Sequence, residues 1–203
     1  MSGLHWMQTV GGRKFVPDAP DPTAIDIQDI AHALSHVCRF GGHTREPYSV
    51  AQHSVLVCDT VATLGGTPDE IRWALLHDAS EAYVGDVVWP LKQSEHMRGY
   101  KIIEANVMRA ICERFKLGGT EPAIVKHADL VLLATEKRDL MRERDGVGRQ
   151  VDALEKNAAL ERLGPWACDA VKPLPEPIYP WLPYLSKHRF LLLFNEHFDG
   201  ALR

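Results

Sequence analysis

At 203 residues, with 45% hydrophobic and 25% charged side chains, the chain is long enough for one domain with a substantial core and has the balance of a soluble globular protein. Lys plus Arg number 23 against 27 Asp plus Glu, a formal charge of −4 that argues against a protein built mainly to grip a nucleic-acid polymer. A small anionic substrate stays open, because it needs only local positive charge.

No apolar run reaches the length of a membrane span, and the start, MSGLHWMQTVGGRKF, lacks the apolar stretch of a secretory signal. The expected location is the cytosol, with no membrane partner. Cys38, Cys58, Cys112 and Cys168 form no C-x-x-C pair, and three of them fall in apolar helical patterns, which favours buried, reduced thiols.

The segment up to Pro22, with Gly11, Gly12, Pro17 and Pro20, reads as irregular. From Asp26 onward Ile27, Ile30, Ala31, Leu34 and Val37 recur at helical spacing, and this helix should stop before Gly41-Gly42. The loop CRFGGHTREPY then gathers Arg39, His43, Thr44 and Arg45. Ser49 is placed to cap a second helix, VAQHSVLVCDTVATLG, with Gln52 as its capping-box partner and Gly65-Gly66 as its stop. Thr67, Pro68 and Glu70 predict the same device at the start of a third helix, which carries the stretch ALLHDASEAYVGD. A long helix through GYKIIEANVMRAICERF should end at Gly118-Gly119. Another follows Glu121-Pro122, and VDALEKNAALERL reads as a shorter one. Residues 165–183 form a proline-rich connector before a last helix over about 184–199. Strand patterns are nearly absent. The expected fold is all-α, a single helical domain over 1–203 with its core in about 26–143 and the connector as a surface strap.

The stretch ALLHDASEAYVGD opens apolar and then sets His77, Asp78, Glu81 and Asp86 where a core helix should be finishing. On a helix His77 and Glu81 are four apart and Asp78 and Glu81 three apart, so the three share one edge. Unpaired ionisable groups beside an apolar run cost on the order of a few kcal/mol. A divalent cation removes that cost, because imidazole and carboxylate are its natural ligands. An exposed helix end with a chance His-Asp pair is the plain alternative. Two residues weigh against it: His53, among Val50, Val55, Leu56 and Val57, and Asp129, inside KHADLVLLAT. A core histidine is usually satisfied locally, but an aspartate in an apolar helix needs a partner or a cation.

The pattern H…HD…D, with each piece on a different helix, resembles the HD-domain superfamily of metal-dependent phosphohydrolases. RFGGHTREPYSVAQHS followed by LLHDASEAYVGDVVWPLK is similar to the branch that contains 5′-deoxynucleotidases and phage dATP triphosphohydrolases, and the likeness covers roughly Asp26 to Asp139. The resemblance implies an all-α bundle with a central metal site whose ligands are His53, His77, Asp78 and Asp129. It also implies that Glu81 and Asp86 flank the activated water as catalytic acids, or help to hold a second divalent ion. Mixed imidazole and carboxylate ligation suits zinc, manganese, cobalt or iron better than calcium.

A phosphoester also needs positive charge against its oxygens. Arg39 and Lys92 are the candidates, with Phe40 placed to stack on a base and His43 at the site mouth. A surface charge, a core phenylalanine and a loop cap are the plain readings of these residues. The expected partner is a small nucleotide, and a homo-oligomer is left open. Besides cleavage of the 5′ phosphoester of deoxynucleotides, two alternatives stand: an HD phosphohydrolase of another nucleotide, such as an alarmone, and a non-catalytic nucleotide sensor. The absence of a G-Y-P signature after the HD pair argues against the cyclic-dinucleotide branch, and six filled positions argue against a degenerate sensor. His32 and His36 lack the Glu of H-E-x-x-H, so a second metal pair is not expected there. His127, two residues from Asp129, should point elsewhere.

Overall fold

Asp26 sets the start of the first helix. Its carboxylate accepts the Gln28 backbone N–H, and α1 runs Ile27–His36 with Ile27, Ile30, Ala31 and Leu34 buried on one face. The computed structural model describes residues 5–141 and 166–198, so the helix expected over VDALEKNAALERL lies outside the described residues. The helices that follow are α2 (Val50–Thr63), α3 (Pro68–Leu76), α4 (Glu81–Val84), α5 (Trp89–Lys92), α6 (Arg98–Phe115), α7 (Ala123–Leu140) and α8 (Pro183–His197). The architecture is all-α, as expected. Among the described residues no helix is long and apolar enough to cross a membrane.

α2 is the central element and packs against α1, α3, α7 and α8. Val50, Ala51, Val55, Val57, Cys58 and Val61 bury its apolar surface, and each fully buried valine among them contributes about 1.5–3 kcal/mol. Ser49 caps it as expected, accepting the Gln52 N–H at 3.2 Å. The reciprocal half of the box does not form. Gln52 is 1% exposed, and a buried amide needs partners that water cannot supply. It finds them in the proline-rich connector, donating to the Tyr179 carbonyl at 2.8 Å and accepting the Trp181 N–H at 2.7 Å. Thr135 accepts the Leu174 N–H and Asp139 the Ile178 N–H, both at 2.9 Å, so α7 fastens the same strap.

α3 begins with the complete Thr67/Glu70 capping box. Its end corrects an expectation: the helix does not continue through Glu81. It stops at Leu76, His77 to Ser80 form a turn, and Glu81 opens the separate helix α4. The cause is local. His77 Nδ1 bonds the Ala74 carbonyl at 2.8 Å, the acceptor that a continuing helix would offer to the Asp78 N–H. α6 likewise stops early, at Lys116 with φ 55°, ahead of Gly118-Gly119.

The segment before Pro22 holds a short antiparallel pair that the sequence reading missed, β1 (Met7–Gln8) with β2 (Lys14–Phe15). Asp29, 3% exposed, anchors it by accepting the Gly11 N–H at 2.7 Å. A Cβ on Gly11 would lie 2.5 Å from the Arg13 guanidinium and 2.7 Å from that same carboxylate, so a larger residue there would have to displace this anchor. Phe15 then stacks on Tyr83 of α4, ring centroids 3.9 Å apart, which ties the hairpin to the helix that begins with Glu81.

Candidate metal centre

His53 projects from the first turn of α2 and is 0% exposed. His77 ends α3, and Asp129 stands on α7 with its side chain 39% exposed, at the rim rather than inside the core. Ligand atoms of these three residues lie within 4.8 Å of one another, and the group can hold a metal ion. Asp78 joins them, with its Oδ2 3.2 Å from His77 Nε2 and 3.7 Å from His53 Nε2. The histidine rings are 5.3 Å apart between centroids.

What suits the cluster to a cation is the far side of each ring. His53 Nδ1 lies 2.6 Å from Glu136 Oε1, and His77 Nδ1 lies 2.8 Å from the Ala74 carbonyl. Both partners are acceptors, which keeps a proton on Nδ1 and leaves Nε2 as the nitrogen that can meet a cation. Both Nε2 atoms are buried without a well-directed hydrogen bond, and each faces a carboxylate oxygen, Asp129 Oδ1 at 3.1 Å from His53 and Asp78 Oδ2 at 3.2 Å from His77. A carboxylate behind a histidine is a common way to orient and strengthen a metal ligand. The cluster also sits at the C-terminal end of α3, whose partial negative charge favours a cation.

Glu136 was not singled out from the sequence. It is 0% exposed and also accepts from Arg39, at 3.3 Å from Nε and 3.2 Å from Nη2. Its signal was the spacing: seven residues after Asp129 is two helical turns, hence the same face of α7. Arg39 turns inward at 12% exposure and reaches Asp78 Oδ2 at 3.4 Å. Burial opposes its charge, but Glu136, Asp78 and Asp129 more than compensate and raise its pKa.

The remaining acids are left with an excess of negative charge. Glu81 is 6% exposed, and its Oε2 has no partner. Burial first, then the Asp78 and Asp86 charges, push its carboxyl well above the usual range. Asp86, half-buried, is raised by burial, with Arg39 pulling it back and Asp78 pushing it further. A divalent ion at the histidines is the natural counter-charge.

Burial opposes protonation of His77, but the Asp78 carboxylate raises its pKa to about 9. A folded-state value above histidine's ordinary 6.5 means that this proton stabilises the metal-free fold fully below about pH 6.5 and is lost as pH rises through about 9. The loss is of order 3 kcal/mol. Metal takes the place of the proton, so the rise in melting temperature on adding Mn²⁺ should widen between pH 6.5 and 9, read by thermal melts with and without chelator. An increment constant across that range contradicts this account.

Phe40 adopts φ 58°, ψ 27°, a left-handed conformation that costs a non-glycine residue about 1–2 kcal/mol. The bend sets its ring 5.4 Å from the Arg39 guanidinium and 6.3 Å from the Trp166 ring. His43 is exposed, and its backbone N–H bonds the Phe40 carbonyl at 3.1 Å, closing the loop turn. Lys92 is held by Glu104 of α6 at 2.7 Å. His36 Nδ1 is taken by the His32 carbonyl at 2.8 Å, which does not suit a metal pair, and His127 is exposed. All four cysteines are free thiols; Cys58 and Cys168 are buried, Cys38 and Cys112 only partly so.

Fold and site together define an all-α protein with a mixed histidine and carboxylate centre able to hold a metal ion. No family model matches the sequence. The chain is 41% identical to the uncharacterized protein YfdR of Escherichia coli over 138 residues, which span 68% of this chain and 73% of YfdR. A second relative, an uncharacterized protein of Rhodobacter capsulatus, is 38% identical over 128 residues, 61% of this chain and 64% of its own length. The chain belongs to the YfdR family.

Proposed function

We propose that this protein is an HD-type, metal-dependent phosphohydrolase that cleaves the 5′ phosphoester of deoxynucleotides and releases the deoxynucleoside. The observation that carries the reading is the pair of imidazoles locked by their Nδ1 bonds, with both Nε2 atoms turned to the carboxylates of Asp129 and Asp78 and the buried, partnerless Glu81 Oε2 and Asp86 close by. His53, His77, Asp78 and Asp129 would hold a transition ion: zinc, manganese, cobalt or iron. When bound, such an ion acidifies water and polarises a phosphoryl oxygen.

The chain supplies the rest. Glu81, whose carboxyl favours its proton, and Asp86 orient the attacking water and pass its proton toward the departing 5′ oxygen. Either could instead help to hold a second divalent ion. Arg39, held between Glu136 and Asp78 and 3.4 Å from the latter's carboxylate, is always charged and stands where it can balance phosphoryl charge. Phe40, bent beside Arg39, offers a flat face to a base. The preference for 2′-deoxy substrates rests on the resemblance alone.

Cleavage in ¹⁸O-labelled water tests where the bond breaks. A deoxynucleoside triphosphate should yield labelled triphosphate, a monophosphate labelled phosphate, and neither a labelled nucleoside. Labelled inorganic phosphate from a triphosphate, with diphosphate accumulating, would place the reaction at the far end of the chain and overturn this placement of the nucleotide.

A further inference from the structure

Hydrogen bonds behind the metal centre converge on one carboxylate of α6. Lys92 Nζ donates to Glu104 Oε1 at 2.7 Å, with the two side chains 27% and 18% exposed. The Tyr100 hydroxyl lies 3.2 Å from the same oxygen and 3.0 Å from the Gly85 carbonyl oxygen. Gly85 in turn donates its N–H to the Glu81 carbonyl at 2.8 Å. Its backbone, φ 79° and ψ 159°, is open essentially to glycine alone. Glu104 therefore reaches, through two partners, both ends of the segment 85–92 that carries Asp86 and Lys92.

Tyr100 has one hydroxyl proton and two acceptors within reach. While Lys92 neutralises Glu104, the Gly85 carbonyl competes for that proton. A Glu104 carboxylate stripped of Lys92 is the stronger acceptor and draws it away. The position of the ammonium and the peptide that leads into Asp86 are thus coupled.

We propose that Glu104 is a positioning residue of the centre: it holds the Lys92 ammonium toward the phosphoryl position and, with Tyr100, fixes the Gly85 peptide before Asp86. The proposal rests on the phosphohydrolase reading for the identity of the group that Lys92 meets. It opposes a simpler role, in which Glu104 merely sequesters a lysine that would otherwise be free to bind anions. Lys92 lies within electrostatic reach of the acids: burial opposes its charge, but Glu104, Glu81 and Asp78 raise its pKa.

The test uses the full chain loaded with Mn²⁺ and measures binding of inorganic phosphate by calorimetry, with metal content and melting temperature as controls. Glu104→Gln should weaken phosphate about tenfold with metal content unchanged, the worth of one charge-assisted contact. Tyr100→Phe, which removes a single oxygen, should weaken it by about two- to threefold. Because Glu104 acts through Lys92, the Glu104→Gln/Lys92→Met double variant should bind phosphate no more weakly than Lys92→Met alone. Unchanged or tighter binding in Glu104→Gln, additive losses in the double variant, or no phosphate binding by the wild type would overturn the proposal. The readout needs no turnover. The expected couplings without nucleotide hydrolysis would sink the phosphohydrolase reading alone, whereas hydrolysis with phosphate binding intact in Glu104→Gln would sink the positioning role alone.

Discussion

Asp78→Ala is expected to empty the metal centre and to abolish turnover, by about 10³-fold or more, while Glu81→Gln keeps the metal and loses about 10²- to 10⁴-fold in kcat. The two acids differ in what they face. Asp78 stands 3.2 Å from His77 Nε2 and 3.7 Å from His53 Nε2, and His77, His53 and Arg39 overcome its burial to hold its carboxyl far below the usual range. That carboxylate is ionised and ready for a cation. Glu81 instead favours its proton, because burial and the nearby Asp78 and Asp86 charges disfavour a further anion. A group poised to carry a proton suits acid–base work better than primary ligation. Metal analysis of the two purified variants, beside a kinetic assay, checks the division. Glu81→Gln found as empty as Asp78→Ala would promote Glu81 to a ligand.

Glu136→Ala should be the most damaging change to the protein as a whole. Glu136 is 0% exposed and bonds two groups at once, His53 Nδ1 at 2.6 Å and Arg39 at 3.2 Å. Removing it leaves a buried guanidinium half-paired and a buried imidazole free to choose the wrong tautomer. The expected cost is about 3–5 kcal/mol of stability. Metal affinity should fall by about 10- to 100-fold as His53 loses its orienting partner. Glu136→Gln keeps an acceptor for Nδ1, so it should retain more of the metal affinity while still losing the ion pair. Denaturant melts of the metal-free protein separate the first effect from metal titrations that report the second. Equal metal affinity in wild type and Glu136→Ala would show that His53 needs no such support.

The parts of the fold that could be read in the sequence are those fixed by local chemistry. Asp26, Ser49 and the Thr67/Glu70 pair begin helices because their side chains satisfy the first free N–H groups, whatever the rest of the chain does. The end of α3 was not readable from periodicity. His77 and Glu81 have helical spacing, yet a ring nitrogen takes the Ala74 carbonyl and turns the chain. The hairpin of β1 and β2 is too short to show alternation, and its anchor, Asp29, lies in α1.

In the site, His53, His77 and Asp129 come together as metal-capable residues whose types announce the chemistry. Glu136 could have been found from its place seven residues after Asp129. Glu104 and Tyr100 could not, because an acid and a tyrosine on an amphipathic helix look the same whether they face solvent or the segment that carries Asp86 and Lys92.

The most direct test of the central claim is one screen: metal-free protein and protein supplemented with Mn²⁺, Co²⁺, Zn²⁺ or Fe²⁺, against deoxynucleoside and ribonucleoside mono- and triphosphates, with nucleoside, phosphate and triphosphate resolved as products. The account predicts release of deoxynucleoside with phosphate or triphosphate, only in the supplemented samples, and its loss on chelation. Full hydrolysis by a preparation verified to be metal-free would contradict it.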